Sequence, residues 1–196
     1  MNLCEDYTKL MIKKILKILI IIHAINIQAQ TVNDEIIIIE TSEGNITVHL
    51  DGKRAPITVS NFVSLIKADY FDNSIFHRVI DNFMIQGGGF DEDMNDLESL
   101  ITIPNESGNG LSNLRGTIAM ARTSDPHSAN AQFFINTKDN RSLNPKSGRW
   151  GYAVFGTVIE GMEVVDKISK KPTGPKGRFA SDVPIETVLI KSITIE

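Results

Sequence analysis

A mainly β fold, a barrel or sandwich plugged by two helices, is what this sequence predicts beyond its first thirty residues. Three observations lead there. Strand-length runs rich in β-branched and aromatic residues recur along the chain. Clusters of Gly, Asn, Pro and Ser separate them. Just two stretches place apolar residues at helical spacing.

The first thirty residues read differently. Lys9, Lys13, Lys14 and Lys17 form a basic lead-in. Residues 18–22 and 24–27 are an apolar run broken by His23, and Gln28-Ala29-Gln30 closes it. A basic start, a short apolar centre and a small residue at the end describe a secretory signal peptide. The run is shorter than the roughly 20 residues of a spanning helix. The expectation is a signal peptide over residues 1–30, cleaved after Ala29, with Met11 as an alternative start. Retention as an anchor is the competing reading. Residues 31–196 would then form a periplasmic or secreted domain, away from the membrane and without Cys4, the one cysteine.

The first strand is Glu35-Ile36-Ile37-Ile38-Ile39-Glu40-Thr41, β-branched and too short for a helix. Ser42-Glu43-Gly44-Asn45 turns the chain, and Ile46-Thr47-Val48-His49-Leu50 alternates as the second arm of a hairpin. A helix follows, capped by Thr58, with Val59, Phe62, Val63 and Ile66 on one face and an end near Ala68. Further strands are expected at residues 75–80, 83–86, 116–121, 132–136 and 152–158. A second helix spans about 162–170, residues 170–177 are a loop, and a last strand covers 185–195.

Composition narrows function by exclusion. A chain of 196 residues suits one domain. Its net charge of -4 argues against a general nucleic-acid binder. His49 and His127 join no cluster of ligand residues, so no metal is expected. No phosphate-binding or dinucleotide motif indicates a cofactor. Asp91-Glu92-Asp93 reads as a solvated loop, and the absence of any coiled segment suggests a monomer.

The segment Phe76-His77-Arg78-Val79-Ile80-Asp81-Asn82-Phe83-Met84-Ile85-Gln86-Gly87-Gly88-Gly89-Phe90 resembles the signature of the cyclophilins. Arg115-Gly116-Thr117-Ile118-Ala119-Met120-Ala121-Arg122, Asn130-Ala131-Gln132-Phe133-Phe134-Ile135-Asn136 and Tyr152-Ala153-Val154-Phe155-Gly156-Thr157-Val158 agree with it in order. The resemblance runs from about residue 35 to 196 and is closest to the periplasmic bacterial members. It implies a closed eight-stranded antiparallel barrel capped by two helices. It implies a peptidyl-prolyl cis-trans isomerase whose partners are proline-containing, unfolded or exported polypeptides.

The resemblance also implies the site. Arg78 matches the catalytic arginine, with Gln86 as a substrate contact that also steadies it. Phe83, Met84 and Phe134 match the proline pocket, and Leu143 and Tyr152 its remaining wall. Gln132 matches a polar contact to substrate backbone, and Ala121 and Arg122 the edge along which a peptide runs. Phe133 and His77 are read as structural, each turned from its neighbour by strand alternation. Three positions depart from the best-known pattern. Ser142 stands where tryptophan is common, Tyr152 where histidine is, and Arg122 where asparagine is. The missing tryptophan implies weak cyclosporin binding. Trp150, eight residues on, is a candidate to refill part of the gap. Two other readings compete: a non-catalytic proline-peptide chaperone on the same barrel, and a hollow barrel carrying small apolar ligands.

Overall fold

Alternation in Glu35–Thr41 (β1) and Gly44–Leu50 (β2) builds the expected hairpin, with Ile37, Ile39, Ile46, Val48 and Leu50 buried. The computed structural model describes residues 33–98 and 101–196. The expected signal segment, 1–30, lies outside the described residues. The later elements are Pro56–Lys67 (α1), Ser74–Ile80 (β3), Met84–Asp91 (β4), Thr117–Met120 (β5) and Phe133–Asn136 (β6). Then come Val154–Glu160 (β7), Met162–Ser169 (α2), Thr173–Lys176 (β8), Phe179–Pro184 (β9) and Leu189–Ile195 (β10).

Eight strands close into an antiparallel barrel in the order β1-β10-β3-β4-β6-β5-β7-β2, while β8 and β9 pair with each other. A barrel of this size is just wide enough for side chains to fill. Phe62 of α1 meets Phe71, Phe133 and Phe155 with ring centroids 4.8, 5.5 and 5.1 Å apart. Val165 and Ile168 of α2 join the same buried cluster. That filling removes the carrier reading, which needs a lumen.

Three expected boundaries move. Pro56 opens α1, where its missing N–H costs nothing, so Thr58 lies inside the helix and does not cap it. The open donors go instead to Glu106: its carboxylate accepts from Ile57 N at 3.1 Å, Thr58 N at 2.8 Å and the Thr58 hydroxyl at 2.7 Å. The expected loop at 170–177 contains β8, a strand of a two-stranded sheet, where Pro175 is tolerated at an edge. The last strand begins at Leu189, and Ile185 is exposed in the link before it.

A bulge in β3 matters most. Phe76 pairs with Gly87 and Arg78 with Gln86, so β3 carries one residue more than β4. Phe76 and Val79, three apart, both join the barrel interior, which strict alternation forbids and the bulge permits. His77 and Arg78 both leave on the outer side and meet β9. His77 packs on Phe90 and Phe179 at 4.6 and 5.7 Å, and Arg78 Nε lies 3.6 Å from Asp182 Oδ2. The expected opposition of His77 and Arg78 therefore fails at the bulge, although His77 is a buried structural residue. Arg178 clasps this layer, with its guanidinium 4.6 Å from the Phe90 ring centre and two hydrogen bonds to Asp96 at 2.8 and 2.6 Å.

Burial holds the His77 pKa at about 4, below its usual 6.5, and its Nδ1 has no hydrogen-bond partner. Between those values the unfolded chain takes up a proton that the folded chain refuses, so stability falls as pH falls. Acidifying from pH 7 to 4 is expected to cost about 3 kcal/mol through this residue. Urea midpoints across that range check it. The His77→Leu variant should lose this part of the slope, and an unchanged slope would contradict the assignment.

Candidate functional site

On β4, β5 and β6 both faces are apolar, and alternation divides them. Ile85, Ile118 and Phe133 fill the barrel, while Met84, Ala119 and Phe134 join Val154 in a second buried cluster on the outside. Cross-strand register sets Arg78 opposite Gln86, Gln86 opposite Phe134, Phe134 opposite Ala119, and Ala119 opposite Val154. Phe83, Ala121, Leu143 and Tyr152 pack around this row.

The result is a cavity of about 110 Å³ lined by Arg78, Phe83, Met84, Gln86, Ala121, Arg122, Phe134, Leu143 and Tyr152. Nine of the ten site residues expected from the sequence thus meet in one place. The tenth, Gln132, stands behind Gln86 and accepts its Nε2–H at 3.0 Å. The glycine run makes room for that bond. Gly88 sits at φ +76°, with the rings of Phe71 and Phe133 where a Cβ would be, and a Cβ on Gly89 would collide with the Gln132 amide.

Apolar side chains form one wall. Phe134 and Tyr152 meet edge to face at 5.6 Å, and Met84 lies buried beside them. Cations form the other. Arg78 and Arg122 both line the cavity, and none of its nine lining residues is acidic. Gln86 turns to Gln132 and makes no hydrogen bond to Arg78, so the expected steadying of Arg78 falls to Asp182 at 3.6 Å. That distance is an ion contact rather than a hydrogen bond. Arg122 is held more firmly: Nε, Nη1 and Nη2 donate to the carbonyls of Gly151, Thr123 and Trp150 at 3.2, 2.9 and 3.1 Å. Its guanidinium lies 4.6 Å from the Tyr152 ring centre.

Trp150 does not refill the pocket. Residues 146 and 149 close a tight turn through reciprocal backbone bonds of 3.0 and 2.9 Å, and the chain leaves it with Trp150 against His127, ring centroids 5.1 Å apart. Ser142, at the position tied to tryptophan, is exposed in the 3-10 turn Arg141–Leu143.

Sequence reasoning passed over the asparagines behind the pocket. Asn140 Nδ2 donates to the Phe83 carbonyl and to Asn136 Oδ1, each at 2.7 Å. Asn136 Nδ2 reaches the Thr117 hydroxyl at 2.9 Å, and Asn113 Nδ2 reaches Asn144 Oδ1 at 3.2 Å and the Tyr152 carbonyl at 3.3 Å. These bonds fix Phe83, the 3-10 turn and Tyr152 to one another. The signal was present as Asn113, Asn136, Asn140 and Asn144 crowding loops and strand ends, but such residues usually read as turn formers.

Residues 36–194 match the family model described as cyclophilin type peptidyl-prolyl cis-trans isomerase/CLD. A peptidyl-prolyl cis-trans isomerase of Acinetobacter baylyi is 46% identical over 180 residues, covering 92% of this chain and 95% of that protein. Peptidyl-prolyl cis-trans isomerase B of Escherichia coli is 50% identical over 159 residues, covering 79% and 96%. Among solved structures, a cyclophilin type isomerase of Cryptosporidium parvum, determined in the presence of the dipeptide Ala-Pro, superposes with a TM-score of 0.66 at 27% identity, covering 83% of this chain and 99% of that one.

The Asn140→Ala variant leaves Asn136 Oδ1, in a buried side chain, without this donor. It is expected to lose about 1–3 kcal/mol of stability. Urea unfolding checks this, and a midpoint matching wild type would contradict the role given to the network.

Proposed function

This chain belongs to the cyclophilin-type peptidyl-prolyl cis-trans isomerases, and from that premise we propose which of its residues turn an X–Pro bond and where it meets its substrates. The activity itself is the family's: the chain is a peptidyl-prolyl cis-trans isomerase. The observation that carries the proposal is the convergence of Arg78 and an apolar wall on one cavity.

The X–Pro bond resists rotation with a barrier of about 18–20 kcal/mol because amide resonance holds it planar. Twisting breaks the resonance and returns a lone pair to the proline nitrogen. Met84, Phe83, Phe134, Leu143 and Tyr152 grip the pyrrolidine ring, whose apolar surface matches theirs. Arg78 donates an N–H to that nitrogen, or to the neighbouring carbonyl, and the bond strengthens as the lone pair forms. Asp182 limits where the guanidinium can swing without spending all its donors. Gln86, braced by Gln132, contacts the substrate backbone. The Ala121 N–H is committed to the Gln132 carbonyl at 2.9 Å, so a peptide along this edge pairs with the Ala121 carbonyl instead. No covalent bond to the protein is made or broken, and no metal or cofactor enters this scheme.

The substrates we propose are proline-containing stretches of exported polypeptides. The support is the basic and apolar leader over residues 1–30, which reads as a signal for export. The same scheme gives weak cyclosporin binding, because Trp150 sits against His127 rather than in the pocket.

Two measurements test this. Residues 31–196 should accelerate cis-trans exchange of a short Ala-Pro peptide, and Arg78→Ala should lose about 10²–10³-fold while staying folded. A folded wild-type domain without activity would leave proline-peptide binding alone. N-terminal sequencing of the chain expressed in a Gram-negative host should find a periplasmic protein beginning at residue 30 or 31. An intact leader in the cytoplasm would contradict export.

A further inference from the structure

The isomerase reading leaves the charge of Arg122 unused. Its guanidinium has five N–H donors, and the bonds to the carbonyls of Gly151, Thr123 and Trp150 take one each. Two donors remain. Among the described residues Arg122 forms no ion pair with any carboxylate, whereas Arg54, Arg78, Arg115, Arg141 and Arg178 each do. One face lies on the Tyr152 ring, so the group cannot swing away from the cavity it lines. The nearest lining cation, Arg78, is already balanced by Asp182. The net charge of the chain is -4, yet the cavity wall carries a fixed and unbalanced positive charge.

We propose that Arg122 is a specificity-determining residue that selects substrates carrying Asp or Glu beside the proline. This rests on the isomerase reading of the same groove. An acidic side chain adjacent to the gripped ring falls within reach of the two spare N–H donors and forms a charge-assisted pair. A lysine there meets like charge and is disfavoured. Because the guanidinium is already immobilised by three carbonyls and a ring, little further ordering is lost when the pair forms.

The test uses matched tetrapeptides with Ala, Glu or Lys on either side of a single proline. At low salt, wild type should show kcat/KM about three- to tenfold higher for Glu than for Ala at one of the two positions, and lower for Lys. Raising salt to about 1 M should shrink the ratio, since screening acts on the pair and not on the grip. Arg122→Gln should bring the Glu to Ala ratio near one whatever its absolute rate, and Arg122→Lys should keep its sign. A wild-type ratio within about twofold of one at both positions overturns the selectivity, as does a ratio that survives in Arg122→Gln. If no peptide is accelerated by wild type, the isomerase reading itself has failed; equal acceleration of all three refutes only the role of Arg122.

Discussion

Phe62, wedged among Phe71, Phe133 and Phe155, is the contact on which the groove depends. These rings hold β6 and β7 with Phe133 and Phe155 facing inward, and alternation then obliges Phe134 and Val154 to face outward. A slip of one residue in either strand would exchange the two faces and take the pocket wall into the barrel. β4 obeys the same rule, with Ile85 in and Met84 and Gln86 out. β3 obeys it only because the bulge at His77 restores the phase, keeping Val79 inside while Arg78 points into the groove. The site is therefore the outside of a core whose inside is set by packing.

Two kinds of support keep that outer face in shape. Apolar contacts hold the wall, and buried amides hold the loops that frame it. Asn113, Asn136, Asn140 and Asn144 tie the backbone near Phe83 to that near Tyr152, and Glu106 ties the loop before β5 to the start of α1. Such a frame suits a catalyst that forms no covalent intermediate. In the proposed scheme its contribution is to present a grip and a donor already in place, so that little reorganisation accompanies the twist. In that scheme grip and donation come from separate residues, the first from aromatic and thioether surface, the second from a guanidinium on the neighbouring strand pair.

Much of this was legible in the chain. The β1–β2 hairpin followed from period-two alternation over short β-branched runs, and the opposed roles of Phe133 and Phe134 from the same rule. Nine groove residues were named through the family resemblance, eight of them within its ordered motifs and Leu143 outside them. What stayed hidden depends on partners distant in sequence. The α1 donors are met by Glu106, 48 residues beyond Thr58, so a local cap rule chose the wrong residue. Asp182 beside Arg78 belongs to β9, over residues 179–184 to which the sequence reading assigned no element. The bulge broke the alternation that placed His77, and the turn at residues 146–149 sent Trp150 away from the gap that it was a candidate to refill in part.

The claim that grip and donation are separable is tested most directly by Arg78→Lys, which keeps the charge and loses the planar fork. Binding of an Ala-Pro peptide, followed by the methyl resonance of Met84, and cis-trans exchange of the same peptide would be measured on one sample. The account predicts a Kd within about threefold of wild type, because the apolar wall is untouched, with exchange reduced by about 10²-fold or more. Exchange near the wild-type rate, or a loss of binding that accounts for the whole loss of exchange, would contradict it.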